Sequence, residues 1–169
     1  MEKNALFSVG IITVSDKGAR GEREDKSGPA IKEIVTSLPA EVKIYEIVPD
    51  SKEIIANKIK EFADNRGLDL IITTGGTGVS PRDVTPEATL EVIEKEIPGM
   101  AEVMRLEGLK KTPHAMISRA VVGMRHQSLI INLPGSPKAV RENLLAILPA
   151  LPHALSKIKG DETECAISE

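Results

Sequence analysis

Short, largely apolar runs alternate with segments of helical periodicity along most of this chain, and that order leaves few folds open. Residues 7–14 are apolar, rich in Val and Ile and bounded by polar residues, and read as a buried strand. Residues 17–26 are polar, carry Gly18 and Gly21, and read as a loop. Over 27–38, Ala30, Ile31, Ile34, Val35 and Leu38 recur at helical spacing, with Pro29 early enough to be tolerated. A second strand is expected over 42–48. Asp50-Ser51-Lys52-Glu53 then resembles a capping box, and Ile54, Ile55, Ile59 and Phe62 give the next helix its buried stripe, which Gly67 ends. Residues 68–74 are nearly all apolar, as in a central parallel strand covered on both faces. Thr85-Pro86-Glu87 reads as a helix start, with Thr85 as N-cap and Pro86 at the first helical position. That helix is expected to reach about residue 97, where Pro98-Gly99 breaks it.

Residues 100–110 predict a further helix and 113–118 an irregular stretch or short turn. Residues 121–124 and 128–133 read as a hairpin or two edge-adjacent strands. A turn at Pro134-Gly135-Ser136-Pro137 leads into a helix over 139–148, and Pro149 and Pro152 segment a last helical stretch. Strand and helix alternate at least three times, so an α/β fold with a mostly parallel sheet and helices on both faces is expected. In such folds ligands sit outside the carboxyl ends of the strands. Four loops fall there: Ser15-Asp16, Pro49-Asp50, residues 75–86 and residues 134–137. The glycines and polar residues concentrate in the same four places. Residues 1–160 predict one domain, and 161–169 a frayed polar tail.

Composition narrows the function. The chain of 169 residues has a net charge of -3, two Phe, one Tyr and no Trp. It lacks both the basic surplus and the stacking rings of a nucleic-acid binder. Cys165 is the single cysteine, so no internal disulfide forms, and no Cys/His cluster has zinc-ligand spacing. No apolar run approaches the roughly 20 residues that span a bilayer, and no signal pattern opens the chain, so a cytoplasmic protein is expected.

The segment Thr73-Thr74-Gly75-Gly76-Thr77-Gly78 follows the central strand. Its glycines suit a backbone that must approach something closely, and exposed amides before a helix start suit an anion. It is neither a Walker loop, because Val79-Ser80-Pro81 follows Gly78, nor a dinucleotide loop, because Pro81 stands where a small residue is needed. Two roles are open to the next pair: Arg82 as a phosphate ligand with Asp83 on Mg²⁺, or a local salt bridge and Asx turn. Asp50 likewise either caps a helix or joins Asp16 and Asp83 in an acidic set beside the phosphate loop. Lys138 stands near the 134–137 turn. Lys17, Arg20 and Arg23 form either a basic flap or a solvated loop. His114, His126 and His153 show no ligand spacing, and Met100, Met104 and Met116 suit core or subunit contacts.

Thr73 to Gly78, Arg82-Asp83-Val84-Thr85-Pro86-Glu87-Ala88 and Leu133-Pro134-Gly135-Ser136-Pro137 together resemble the molybdopterin adenylyltransferases of the MogA type. The MoaB proteins and the G domain of gephyrin share this pattern. The resemblance reaches to about Lys159, with Ser15, Asp16 and Asp50 in matching places. It implies a three-layer α/β/α fold, usually trimeric, in which the terminal phosphate of molybdopterin attacks the α-phosphorus of ATP. Asp50 and Asp83 would be the catalytic acids and Mg²⁺ ligands. Ser15, Asp16, Thr74, Gly75, Gly76, Thr77, Gly78, Arg82, Pro134, Gly135 and Ser136 would line the phosphate site. A MoeA-type insertase would use the product. The alternatives are a non-catalytic pterin-binding or scaffold relative, and a phosphosugar or nucleotide hydrolase on a similar sheet.

Overall fold

The computed structural model describes residues 6–163. Six strands form one sheet in the order β2-β1-β3-β6-β5-β4: β1 (Phe7–Val14), β2 (Ala40–Val48), β3 (Leu70–Thr74), β4 (Lys95–Glu96), β5 (Val122–Arg125) and β6 (Ser128–Leu133). β2, β1, β3 and β6 run parallel; β5 pairs antiparallel with β6, the hairpin among the two readings of 121–133, and β4 pairs antiparallel with β5 at the edge.

Alternation along the strands sorts the core into two layers. Val9, Ile11, Leu70, Ile72, Leu129 and Ile131 face one way. They pack against α2 (Ser27–Val35), α5 (Pro98–Leu109), α6 (Pro137–Ile147) and α7 (Leu151–Ile158). Ile12, Val14, Ile71 and Ile130 face the other way, against α3 (Lys52–Lys60) and α4 (Thr85–Val92). This is the α/β/α sandwich expected from the alternation and the resemblance. With so few rings available, branched aliphatics fill both layers, and Phe62 is the one fully buried aromatic among the described residues.

Four local expectations need correction. Within the stretch read as a loop, Asp16–Ala19 forms a single-turn helix, α1, because the Ser15 hydroxyl accepts from the Gly18 amide at 3.0 Å. The capping box at 50–53 does not form. Ser51 makes no side-chain cap, and the Asp50 carboxylate is turned to the neighbouring loop. Thr85 is the first residue of α4 and not its N-cap; Val84 holds that place without a side-chain bond. Finally, α4 stops at Val92 and not near residue 97. The sheet edge captures the continuation, with Glu94 N–H donating to Met124 O at 2.8 Å and Ile97 N–H to Val122 O at 2.8 Å. Tertiary pairing there overrides helical periodicity. Cys165 and most of the expected polar tail lie outside the described residues.

At the amino edge of the sheet, Asp69 ties three segments together. It is 8% exposed and accepts from Ser8 N at 2.7 Å, Ser8 Oγ at 2.9 Å and Lys159 Nζ at 2.7 Å. Burial pushes its carboxyl up, but Lys159 and the Ser8 donors outweigh this and hold it below the usual range. Its ionised form therefore stabilises the fold above the ordinary carboxyl range and loses that effect as pH falls through the depressed value. Asp69→Asn should cost about 2 kcal/mol in urea unfolding at pH 7. The gap to wild type should close as pH falls below about 4.

Candidate active site

All four parallel strands deliver their carboxyl ends to one edge, where the four loops selected from the sequence meet. β1 and β2 end in a reciprocal clasp. Asp16 N–H donates to Asp50 Oδ2 at 2.9 Å, and Asp50 N–H donates to Asp16 Oδ1 at 3.0 Å. Burial raises the Asp50 carboxyl above its usual range, with the nearby charges of Asp16 and Asp83 adding to the rise. Asp16 is lowered, chiefly by Arg82, whose Nε and Nη2 both donate to Asp16 Oδ2 at 3.0 and 2.6 Å. Arg82 thus reaches from the glycine loop to the end of β1, and its ion pair is with Asp16 and not with the adjacent Asp83.

The glycine loop itself is tightly tethered. Gly75 has φ +99°, and a Cβ there would overlap the Val14 carbonyl oxygen. Gly76 has φ +66°, and a Cβ would overlap Thr85 Oγ1 and lie 3.4 Å from Asp50 Oδ1. Both positions need glycine for conformation and for space. Thr74 Oγ1 donates to Pro134 O at 2.6 Å, and Thr85 Oγ1 donates to Gly75 O at 2.9 Å. Thr85 N–H donates to Gly76 O at 3.1 Å, so the start of α4 is folded back into the loop. The donors left for an anion are then the amides of Gly76, Thr77, Gly78, Val79 and Val84, which have no acceptor among the described residues. Asp83 forms neither the local salt bridge nor an Asx turn, because the Thr85 amide goes to Gly76 O; it closes a turn over 80–83 instead, with Oδ2 accepting from Ser80 N at 3.0 Å and Asp83 N–H donating to Ser80 O at 2.9 Å.

Two hollows flank this loop. One of about 470 Å³ is lined by Thr77, Gly78, Asp83, Met104, His114 and Asn143 among others. The second, of about 680 Å³, is lined by Ser15, Arg23, Asp25, Lys26, Asp50, Thr74 and Gly75 among others. They share Gly76, Gly135 and Ser136. The seam between the hollows is therefore the glycine loop and the 134–137 turn. Ser136 caps α6 by accepting from Ala139 N at 3.2 Å.

Among residues given other readings, Arg20 pairs with Glu22 at 2.9 Å, whereas Arg23 lines the second hollow. Lys138 is exposed at the start of α6. His126 sits in the β5–β6 turn between Asp64 and Glu94, far along the opposite edge. Met104 is buried in the core, and Met116 is 64% exposed.

Sequence reasoning missed three residues. Asp25 accepts from Thr13 Oγ1 at 2.7 Å, from the amides of Ser27 and Gly28 at 2.9 and 3.1 Å, and from Tyr45 Oη. Burial and this contact with Asp25 push the Tyr45 hydroxyl up to about 12. An acid just before a proline-bearing helix start was the available signal. Ser27 Oγ donates to Gly135 O at 2.7 Å, anchoring the seam. Arg119 donates Nε to Gly78 O at 2.7 Å and Nη2 to Asp83 O at 2.9 Å, and no local pattern announces it.

Residues 10–153 match the family model described as a probable molybdopterin binding domain. The molybdopterin adenylyltransferase of Helicobacter pylori (strain J99) is 44% identical over 156 residues, covering 90% of this chain and 88% of that protein. The solved structure of MoaB from Thermus thermophilus, described as a molybdopterin biosynthesis enzyme, superposes with a TM-score of 0.88 at 57% identity, covering 92% of this chain and 98% of its own. MoaB from Pyrococcus furiosus, described as a tungsten cofactor synthesizing protein, gives a TM-score of 0.83 at 40% identity, covering 91% of this chain and 98% of its own.

The raised Asp50 carboxyl gives a stability test. A carboxyl raised on folding destabilises the fold once it ionises. Asp50→Asn keeps an oxygen for the Asp16 amide, so its Tm at pH 7 should equal or exceed that of wild type. Any advantage should vanish in acid, as Asp50 itself protonates. A marked loss of Tm at pH 7 would contradict this account of the clasp.

Proposed function

Since the chain belongs to the molybdopterin-binding domain family, we propose that it is a molybdopterin adenylyltransferase of molybdenum cofactor biosynthesis. Its substrates are molybdopterin and ATP. A terminal phosphate oxygen of molybdopterin attacks the α-phosphorus of ATP. The bond from that phosphorus to the bridging oxygen breaks, and pyrophosphate leaves with the electron pair. The observation that carries this reading is the pair of hollows meeting at Gly76, Gly135 and Ser136. Two ligands seated on either side bring their phosphates to the glycine loop.

Orientation and charge neutralisation suffice for this reaction. The nucleophile is a phosphate monoester already ionised at neutral pH, so no side chain has to remove a proton. The amides of residues 76–79 serve as donors to phosphate oxygens. Ser15, Thr74, Pro134 and the backbone at 135–136 shape the seam. Arg82 exchanges Asp16 for a phosphate when the nucleotide binds, since guanidinium pairs with both. Asp50 and Asp83 bracket the loop, and the charge of Asp83 adds to the rise of the Asp50 carboxyl. Among the described residues no group of three acids or histidines gathers to make a full metal cage. Two carboxylates suit Mg²⁺ that arrives on a polyphosphate and keeps its waters, so Asp50 and Asp83 would hold it. Bound there, Mg²⁺ would neutralise charge on the phosphates.

The assembly we propose is a homotrimer, and exposed Val103, Leu106, Met116 and Ile117 supply apolar surface for it. A MoeA-type insertase would consume the adenylylated product. Among the described residues no helix is long and apolar enough to cross a membrane, and we place the protein in the cytoplasm.

Mixed with molybdopterin, ATP and Mg²⁺, the protein should release one pyrophosphate for each pterin adenylylated. Tight pterin binding without pyrophosphate would make it a non-catalytic binder or scaffold, and ATP turnover without pterin would make it a hydrolase. Asp83→Ala should lower kcat by about 100-fold or more with the fold intact, and unchanged activity refutes the role given to Asp83. Above about pH 7 the rate should be flat, because the only relevant ionisation is the substrate phosphate near 6.

A further inference from the structure

Arg119 lines neither hollow, yet it holds the glycine loop from behind at three points. Its own N–H donates to Thr77 O at 2.9 Å, Nε donates to Gly78 O at 2.7 Å, and Nη2 donates to Asp83 O at 2.9 Å. Nη1 pairs with Glu87 in the first turn of α4. The bonded carbonyls lie on both sides of the exposed tip at 79–82, so one side chain spans the mouth of the loop. A trans peptide sets each carbonyl antiparallel to the following amide. With the carbonyls of Thr77, Gly78 and Asp83 drawn toward Arg119, the amides of Gly78, Val79 and Val84 point away from it. Those three amides have no acceptor among the described residues.

The guanidinium fork is what makes this possible. Its N–H groups diverge in a fixed plane and reach separate acceptors at once, which an ammonium on a flexible stem does not do in the same geometry. Glu87 secures the arrangement. One of its oxygens pairs with Arg119, and Oε2 is buried with no hydrogen-bond partner among the described residues. Arg119 is the largest influence holding the Glu87 carboxyl below its usual range.

We propose that Arg119 is a positioning residue of the transfer site: by gathering three loop carbonyls it presents the opposite amides, and Asp83 between them, to ligand phosphates. The proposal rests on the adenylyltransferase reading for its substrate, but its structural half can be tested without turnover. Peptide-level hydrogen exchange is measured on the ligand-free protein and again with Mg²⁺ and inorganic pyrophosphate. In wild type, pyrophosphate should slow exchange over residues 76–85. In Arg119→Lys, the same peptide should exchange about tenfold faster without ligand and gain no protection from pyrophosphate. Peptides from β1, β3 and β6 should be unchanged. Per folded molecule, kcat/KM for adenylylation should fall by about 100-fold.

Removing the cation altogether leaves Glu87 uncompensated and risks the fold. The double variant Arg119→Met with Glu87→Gln removes that charge imbalance and should show the same loosened loop. Loop exchange like that of wild type in both variants overturns the proposal. So does a loosened loop with unchanged turnover per folded molecule. If wild type releases no pyrophosphate from ATP and pterin, the reaction reading fails by itself. The exchange experiment then still decides whether Arg119 shapes a phosphate-binding loop, since wild-type protection by pyrophosphate that is lost in Arg119→Lys supports it and its absence in wild type refutes it.

Discussion

Burial of all five residues of Leu70–Thr74 on both faces is the constraint on which the rest of this molecule depends. A strand with no solvated face needs a helical layer on each side and a hydrogen-bonded neighbour along each edge. β1 and β6 supply the edges in parallel, and the helices sort into layers of four and two. Parallel neighbours release their chains at the same edge. The residue after Thr74 therefore emerges where Val14 and Leu133 also end. Gly75 N–H donates to Leu133 O at 3.1 Å while the Val14 carbonyl oxygen occupies the space a β-carbon would need. Glycine at 75 is a consequence of strand order before it is a matter of ligand binding.

The loops at that edge are joined by one recurring device, in which a side chain takes up a neighbouring loop's carbonyl. Thr74 binds the carbonyl of Pro134, Thr85 that of Gly75, Ser27 that of Gly135, and Arg119 those of Gly78 and Asp83. Carbonyls engaged within the protein leave amides for the ligand, and a surface of amides held by packed side chains is electropositive without a crowd of lysines. Preorganised donors of this kind suit a reaction whose charge is carried by the phosphates themselves. They also explain how a chain with a net charge of -3 can handle polyphosphates.

The architecture was legible because its signal is periodic. The nearly all-apolar third strand, the helical stripes and the turn residues at 134–137 each point to one element, and together they select the carboxyl edge. The long motif from Thr73 to Ala88 made the family legible as well. Less legible were features that depend on contacts between segments far apart in the chain. Thr85 looks like an N-cap from its neighbours, but Gly75 and Gly76 claim its hydroxyl and amide. α4 ends early because the edge of β5 pairs with its continuation. Asp50 has local capping chemistry, yet the clasp with Asp16 across 34 residues decides where it points. Arg119 acts 41 residues from Gly78, and nothing around it in sequence signals the contact.

A single in-line transfer between two ligands that meet at the seam of the hollows, with no covalent step on the protein, is the central claim. The stereochemical course at the α-phosphorus tests it most directly. With ATP made chiral by a sulfur at that phosphorus, one in-line displacement inverts the centre in the adenylylated pterin. Inversion is the predicted result. Retention, which requires two displacements through an adenylylated side chain, would contradict the claim.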